Sequence, residues 1–99
     1  IRTTWIGNFR VARVSLNLED KFINALKIVE IDNFGPLYDQ GVRSNDIIFE
    51  IDGNPGTWDN LTKSLRFAGL GEDIKLKLLT PKNEYKSIEI TSEQIKKIN

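Results

Sequence analysis

Apolar and polar positions recur with two different periods along this chain, and the changes of period mark its elements. In RTTWIGNFRVARV, Arg2 to Val14, the apolar Phe9, Val11 and Val14 are separated by Arg10, Ala12 and Arg13. That near-alternation predicts a strand with one wet face, its start interrupted by Gly7-Asn8. The next stretch, SLNLEDKFINA, leaves two descriptions open: Leu16, Leu18 and Phe22 fit an extended segment or a short helix. In ALKIVEID, Ala25 to Asp32, Leu26, Ile28 (or Val29) and Ile31 alternate with Lys27, Glu30 and Asp32, a strand pattern that Asn33-Phe34-Gly35 breaks.

Pro36 suits the first turn of a helix, where its missing N–H is not needed. PLYDQG therefore predicts a helix of one or two turns, stopped by Gly41 in the left-handed region. DIIFEI is dense in β-branched and aromatic residues and predicts a strand. Asp52-Gly53 marks a tight turn, which Pro55-Gly56 extends as a loop. TWDNLTKSLRFAG then changes period: Trp58, Leu61, Leu65 and Ala68 recur at helical spacing. Thr57 suits the N-cap, Asp59 the first turn and Gly69 the end. A helix of about 11 residues would be roughly 16 Å long. EDIKLKLLT alternates Ile74, Leu76 and Leu78 with Lys75 and Lys77. Pro81 to Glu84 turns the chain into YKSIEIT, a partner strand with Tyr85, Ile88 and Ile90. The tail SEQIKKIN, 92–99, fits a short helix capped by Ser92, a frayed end or the start of a linker.

Five or six short strands and two helices predict one α+β domain, mainly β, spanning 1–91. The expected architecture is a small antiparallel sheet or partly open barrel capped by helices. Ninety-nine residues at 39% apolar support one core. No apolar run approaches the roughly 20 residues of a transmembrane helix, and nothing at the start resembles a signal peptide. The abrupt beginning at Ile1-Arg2 is consistent with an excised fragment.

Lys plus Arg equals Asp plus Glu at 14 each. This balance argues against nucleic acid as a partner, since phosphate contacts favour a net basic surface. With no histidine and no cysteine, the chain has neither the usual base near neutral pH nor a thiolate nucleophile. A Ser-His-Asp or Cys-His site is not possible, so no catalysis is expected. Asp46 stands at the mouth of the most apolar strand, behind a loop with unpaired N–H groups and near Arg43. Without a partner acid or base it reads as scaffolding that caps the turn or pairs locally.

The segment IVEIDNFGPLYDQGVRSNDIIFEIDGNPGTWDNLTKSL resembles the middle of a PDZ domain. The resemblance rests on Phe34-Gly35-Pro36-Leu37, Gln40-Gly41-Val42, Asn45-Asp46-Ile47-Ile48, Asp52-Gly53 and the helix from Trp58, in the family's order and spacing. It covers Arg2 to Thr91. The family grips a peptide C-terminus with a loop whose backbone N–H groups receive the carboxylate, and Trp5-Ile6-Gly7-Asn8 matches that loop. Its place at the very start of the chain is similar to the permuted bacterial, archaeal and organellar type, above all the PDZ domains of HtrA/Deg serine proteases. Asn8 departs from the pattern, which is apolar there; Phe9 is the other residue able to fill the role.

The resemblance implies peptide recognition by β-augmentation, along the strand from Asn8 to Val14 and past Phe9, Arg10 and Val11. Trp58, Thr62 and Leu65, one stripe of the second helix, match the wall of the groove. Leu61 and Ala68 are offset from it as core candidates. The plainer reading puts all five in the core, makes Gly7 a simple turn glycine and leaves Arg2 solvated. The last peptide side chain is expected near Ile6, Phe9 and Leu65. Trp58 stands where signalling PDZ domains carry a serine- or threonine-selecting histidine, which implies an apolar preference. The implied partners are C-termini of peptides or unfolded proteins and an attached protease domain, with no cofactor, no metal and no membrane insertion. The implied location is the cell envelope, outside the cytoplasm. A structural PDZ domain that serves oligomer or interdomain docking, with no free ligand, is the alternative.

Overall fold

The computed structural model of the chain describes residues 5–68 and 71–91. Strand β1, Phe9–Leu18, and strand β2, Lys21–Ile31, form one long antiparallel hairpin. The stretch that suited strand or helix is therefore strand. Glu19 and Asp20 turn it with φ of 50° and 64°. Two positive φ values in a two-residue loop give the twist that flanking strands require. Val14 opposes Ala25 and Leu16 opposes Ile23, so one face of the hairpin carries an apolar row. β1 begins only at Phe9, after an irregular segment at Trp5 to Asn8; Arg2 lies outside the described residues. Where Val11 follows Arg10 on β1, the register on β2 jumps from Glu30 to Ile28. Val29 is the extra residue of that bulge, half exposed while Ile28 is buried.

Helix α1, Pro36–Asp39, is a single turn with Pro36 at its start. Gly41 follows at φ +94°, and its N–H donates to the Tyr38 carbonyl at 3.0 Å. Strand β3, Ile47–Ile51, turns at Asp52-Gly53 into the two-residue strand β4, Asn54–Pro55, where the sequence reads as loop. Helix α2 runs 11 residues, Trp58–Ala68. Thr57 Oγ1 accepts the Asn60 N–H at 3.2 Å, the expected cap. Gly69, expected to end α2, and the 92–99 tail lie outside the described residues. Strands β5, Ile74–Leu79, and β6, Tyr85–Ile90, form the last hairpin. The sheet has six strands, all paired antiparallel, in the order β1-β2-β3-β5-β6, with β4 beside β3. The fold is the α+β, mainly β class that the periodicity predicts: an open antiparallel sheet with two helices.

One apolar cluster holds these elements together. Ile28, Ile48, Ile51 and Leu78 from the sheet meet Leu37 of α1 and Leu61 of α2, all fully buried. Each such side chain contributes about 1.5–3 kcal/mol relative to exposure. Asp46, only 2% exposed, acts beside this core as a cap. Its Oδ2 accepts the Arg43 N–H at 2.9 Å and lies 3.6 Å from Lys86 Nζ. Lys86 also donates to the Gly41 carbonyl at 2.9 Å, so one lysine of β6 ties down the α1–β3 loop. Arg43 turns its guanidinium elsewhere, over the Tyr38 ring at 3.5 Å.

Candidate functional site

The segment Trp5 to Asn8 is not a strand, yet its backbone is held from three sides. Ile6 is 1% exposed, and its carbonyl accepts the Leu37 N–H of α1 at 3.0 Å. Asn8 accepts the Asp32 N–H through its own carbonyl at 2.9 Å. Trp5 donates from Nε1 to Asn8 Oδ1 at 2.9 Å, and its ring lies 6.0 Å from that of Phe34. Gly7 at φ +136° makes the bend between these anchors. Gly35 lies against it: a Cβ there would stand 3.0 Å from Gly7 Cα, so the two backbones pack without side chains between them.

These anchors use carbonyls and side chains. Among the described residues, no hydrogen bond takes the N–H of Ile6, Gly7 or Asn8. Successive backbone N–H groups that converge in a turn can bind an anion.

β1 leaves the loop with one edge on β2 and, among the described residues, nothing on the other. Alternation places Phe9, Val11 and Arg13 on the same face. Phe9 and Val11 pack half-buried against the core. Trp58, 42% exposed at the start of α2, stands across from them. The cleft between, about 440 Å³, is lined by Phe9, Arg10, Val11, Arg13, Leu26 and Trp58. A second cleft of about 330 Å³ shares Arg13, Leu26 and Trp58 and continues to Thr57 and Asp59. Together they form a track along β1 beside the first turn of α2.

The structure thus brings Trp5, Ile6, Gly7 and Asn8 together at the loop, and Phe9, Arg10, Val11 and Trp58 at the track. Arg10 is occupied, with Nε 2.7 Å from Glu30 Oε2 across the hairpin. Thr62 and Leu65 line neither cleft. Thr62 Oγ1 donates to the Asp59 carbonyl at 2.9 Å. Leu65 is 7% exposed and belongs with Ile6 to the core cluster, against which Phe9 packs. Ile6 and Leu65, expected beside the last peptide side chain, are both buried in that cluster. Asn8 is exposed and tied to Trp5, while Phe9 takes the inward apolar position.

Two participants escape the sequence reading. Gly35 reads there only as part of a helix start, although its packing positions Gly7. Arg13 reads as a wet-face residue, although its parity with Phe9 and Val11 already points it at the track. Among the described residues, no group of three or more acidic side chains is placed to hold a metal, and no helix is long and apolar enough to cross a membrane. No protein-family model matches the chain, and no curated protein matches it in sequence.

Proposed function

We propose that this domain binds an extended peptide ending in a free carboxylate, by β-augmentation on β1. The observation that carries this is the free β1 edge beside α2, beginning at the three N–H groups of Ile6, Gly7 and Asn8 that have no acceptor among the described residues. A peptide running antiparallel to β1 extends the sheet by one strand, and its terminal carboxylate falls on those amides. The PDZ-like order of a helix turn after β2, the Asp46 strand opening and the α2 wall supports the same reading. On it, the domain is the substrate-binding or regulatory part of an HtrA-type serine protease, working in protein quality control outside the cytoplasm. The peptide is apolar toward its end, since Phe9, Val11 and Trp58 face it.

The test is a titration of the isotope-labelled 99-residue chain with a peptide ending in valine, as the free acid and as the C-terminal amide. Micromolar-range affinity is expected, roughly −8 kcal/mol or weaker. Hydrogen bonds to a charged acceptor contribute about 1.5–3 kcal/mol, so amidation should weaken binding by about tenfold or more. Shift changes should run through Ile6 to Val14 and Trp58. Equal binding of acid and amide would remove the carboxylate site. Absence of binding would favour structural docking, for which the exposed hairpin end, with Phe22 at 76%, is the supporting feature.

A further inference from the structure

Resting on that reading, we infer that the groove selects an acidic side chain at the fourth residue before the peptide's last. Arg13 carries the inference. It lines both clefts, and among the described residues its guanidinium makes no hydrogen bond or ion pair. The other arginine of β1, Arg10, is held by Glu30. Arg13 is therefore the uncompensated cation of the track.

Its register follows from strand geometry. The loop places the terminal carboxylate before Phe9, so the last peptide residue lies opposite Phe9. Residues directly opposite in an antiparallel pair share a face. The residue two positions earlier then faces Val11 and Trp58, in the apolar part of the track. The one two positions earlier again faces Arg13. Both chains rise about 3.4 Å per residue, so the match holds over the roughly 14 Å between Phe9 and Arg13. The bulge does not disturb it, because the extra residue, Val29, is on β2.

Asp59 is the competing charge, on the α2 side of the second cleft. It stands in the first turn, where the helix's own N–H groups attract a carboxylate and partly offset its field. It forms no ion pair with Arg13. An acidic peptide side chain meets Arg13 from the open edge, with Asp59 on the far wall.

Three valine-terminated peptides that differ only at that position, carrying glutamate, alanine or lysine, test this against the wild-type chain and against Arg13→Gln and Arg13→Glu. Exposed ion pairs are modest, so the glutamate peptide should bind about two- to fivefold tighter than the alanine peptide. The lysine peptide should bind weakest. Arg13→Gln should abolish the order, Arg13→Glu should reverse it, and Asp59→Asn should widen the glutamate advantage. Raising the salt concentration should narrow it. Equal binding of the three peptides, tighter binding of the lysine peptide, or a glutamate preference that survives in Arg13→Gln would overturn the inference while leaving the carboxylate site intact. Failure of even the alanine peptide to bind would overturn both.

Discussion

Gly35→Ala should displace the Trp5 to Asn8 loop, chiefly through backbone contacts, with the Trp5 ring 3.4 Å from the added Cβ. Gly35 sits at φ 108° and ψ 168°, a region that is essentially open to glycine alone. Any other residue held there costs about 1–3 kcal/mol in backbone strain. Space adds to the cost, because the new Cβ would meet Gly7 Cα at 3.0 Å and the Ile6 carbonyl oxygen at 3.5 Å. Both are backbone atoms and cannot rotate away. Gly53 is the internal control: it too has positive φ, at 82°, but nothing lies within 4 Å of its Cβ position. Gly53→Ala should therefore show strain alone, and Gly35→Ala strain plus displacement of the loop. The expected loss for Gly35→Ala is about 2–4 kcal/mol. At about 4–8 °C per kcal/mol for a domain of this size, the melting temperature should fall by at least 8 °C, and by more than in Gly53→Ala. Peptide affinity, measured by titration well below both transitions, should fall for Gly35→Ala and stay unchanged for Gly53→Ala. Equal melting shifts and an unaltered affinity would refute the claim that Gly35 positions Gly7.

Two further variants separate scaffold from groove. Asp46→Ala leaves the Arg43 N–H and Lys86 without their carboxylate, and should cost about 2–3 kcal/mol by chemical denaturation; a loss under 0.5 kcal/mol would mean that Asp46 does not hold the α1–β3 loop. Leu65→Ala should cost about 2–4 kcal/mol, because the side chain is buried in the core cluster; unchanged stability with weakened peptide binding would instead make Leu65 a groove wall.

The elements that the sequence made legible are those whose pattern is local. Helix α2 announces itself through a 3.6-residue period and a threonine cap, and β5 through strict alternation. The β1–β2 hairpin was legible only in its inner halves. Its tip turns on Glu19-Asp20, which lacks the glycine that usually marks such turns, so composition there points nowhere. The candidate loop was legible in the residues only as an interruption of a strand at Gly7-Asn8, and as a site only through the resemblance. Its support was not. Gly35 touches Gly7 across 28 residues of chain, and Lys86 reaches Asp46 and Gly41 across 40 or more. Leu65 shows the converse difficulty. Helical spacing alone does not say which stripe of α2 faces the core, so Leu65 reads there as either core or groove wall.

An open strand edge is a hazard as well as a binding site, since any second chain with a free edge can pair with it. The residues of β1 bear on both possibilities. Arg13 puts on the edge strand a charge unpaired among the described residues, and the bulge at Val29 of the neighbouring β2 adds twist, two devices that discourage pairing with another sheet. Neither obstructs a single strand near the loop. There the edge carries Phe9 and Val11, and α2 stands close enough with Trp58 to leave a cleft of about 440 Å³. On the proposed reading one extended chain fills that space, and a second sheet would bring its next strand against α2. The need for a carboxylate, on the same reading, sharpens the discrimination further. An internal strand of another copy brings no anion to the Ile6, Gly7 and Asn8 amides, whereas a chain terminus does. On the proposed reading the edge is guarded along its length against sheets and open at one end to termini, and Arg13 bears on both.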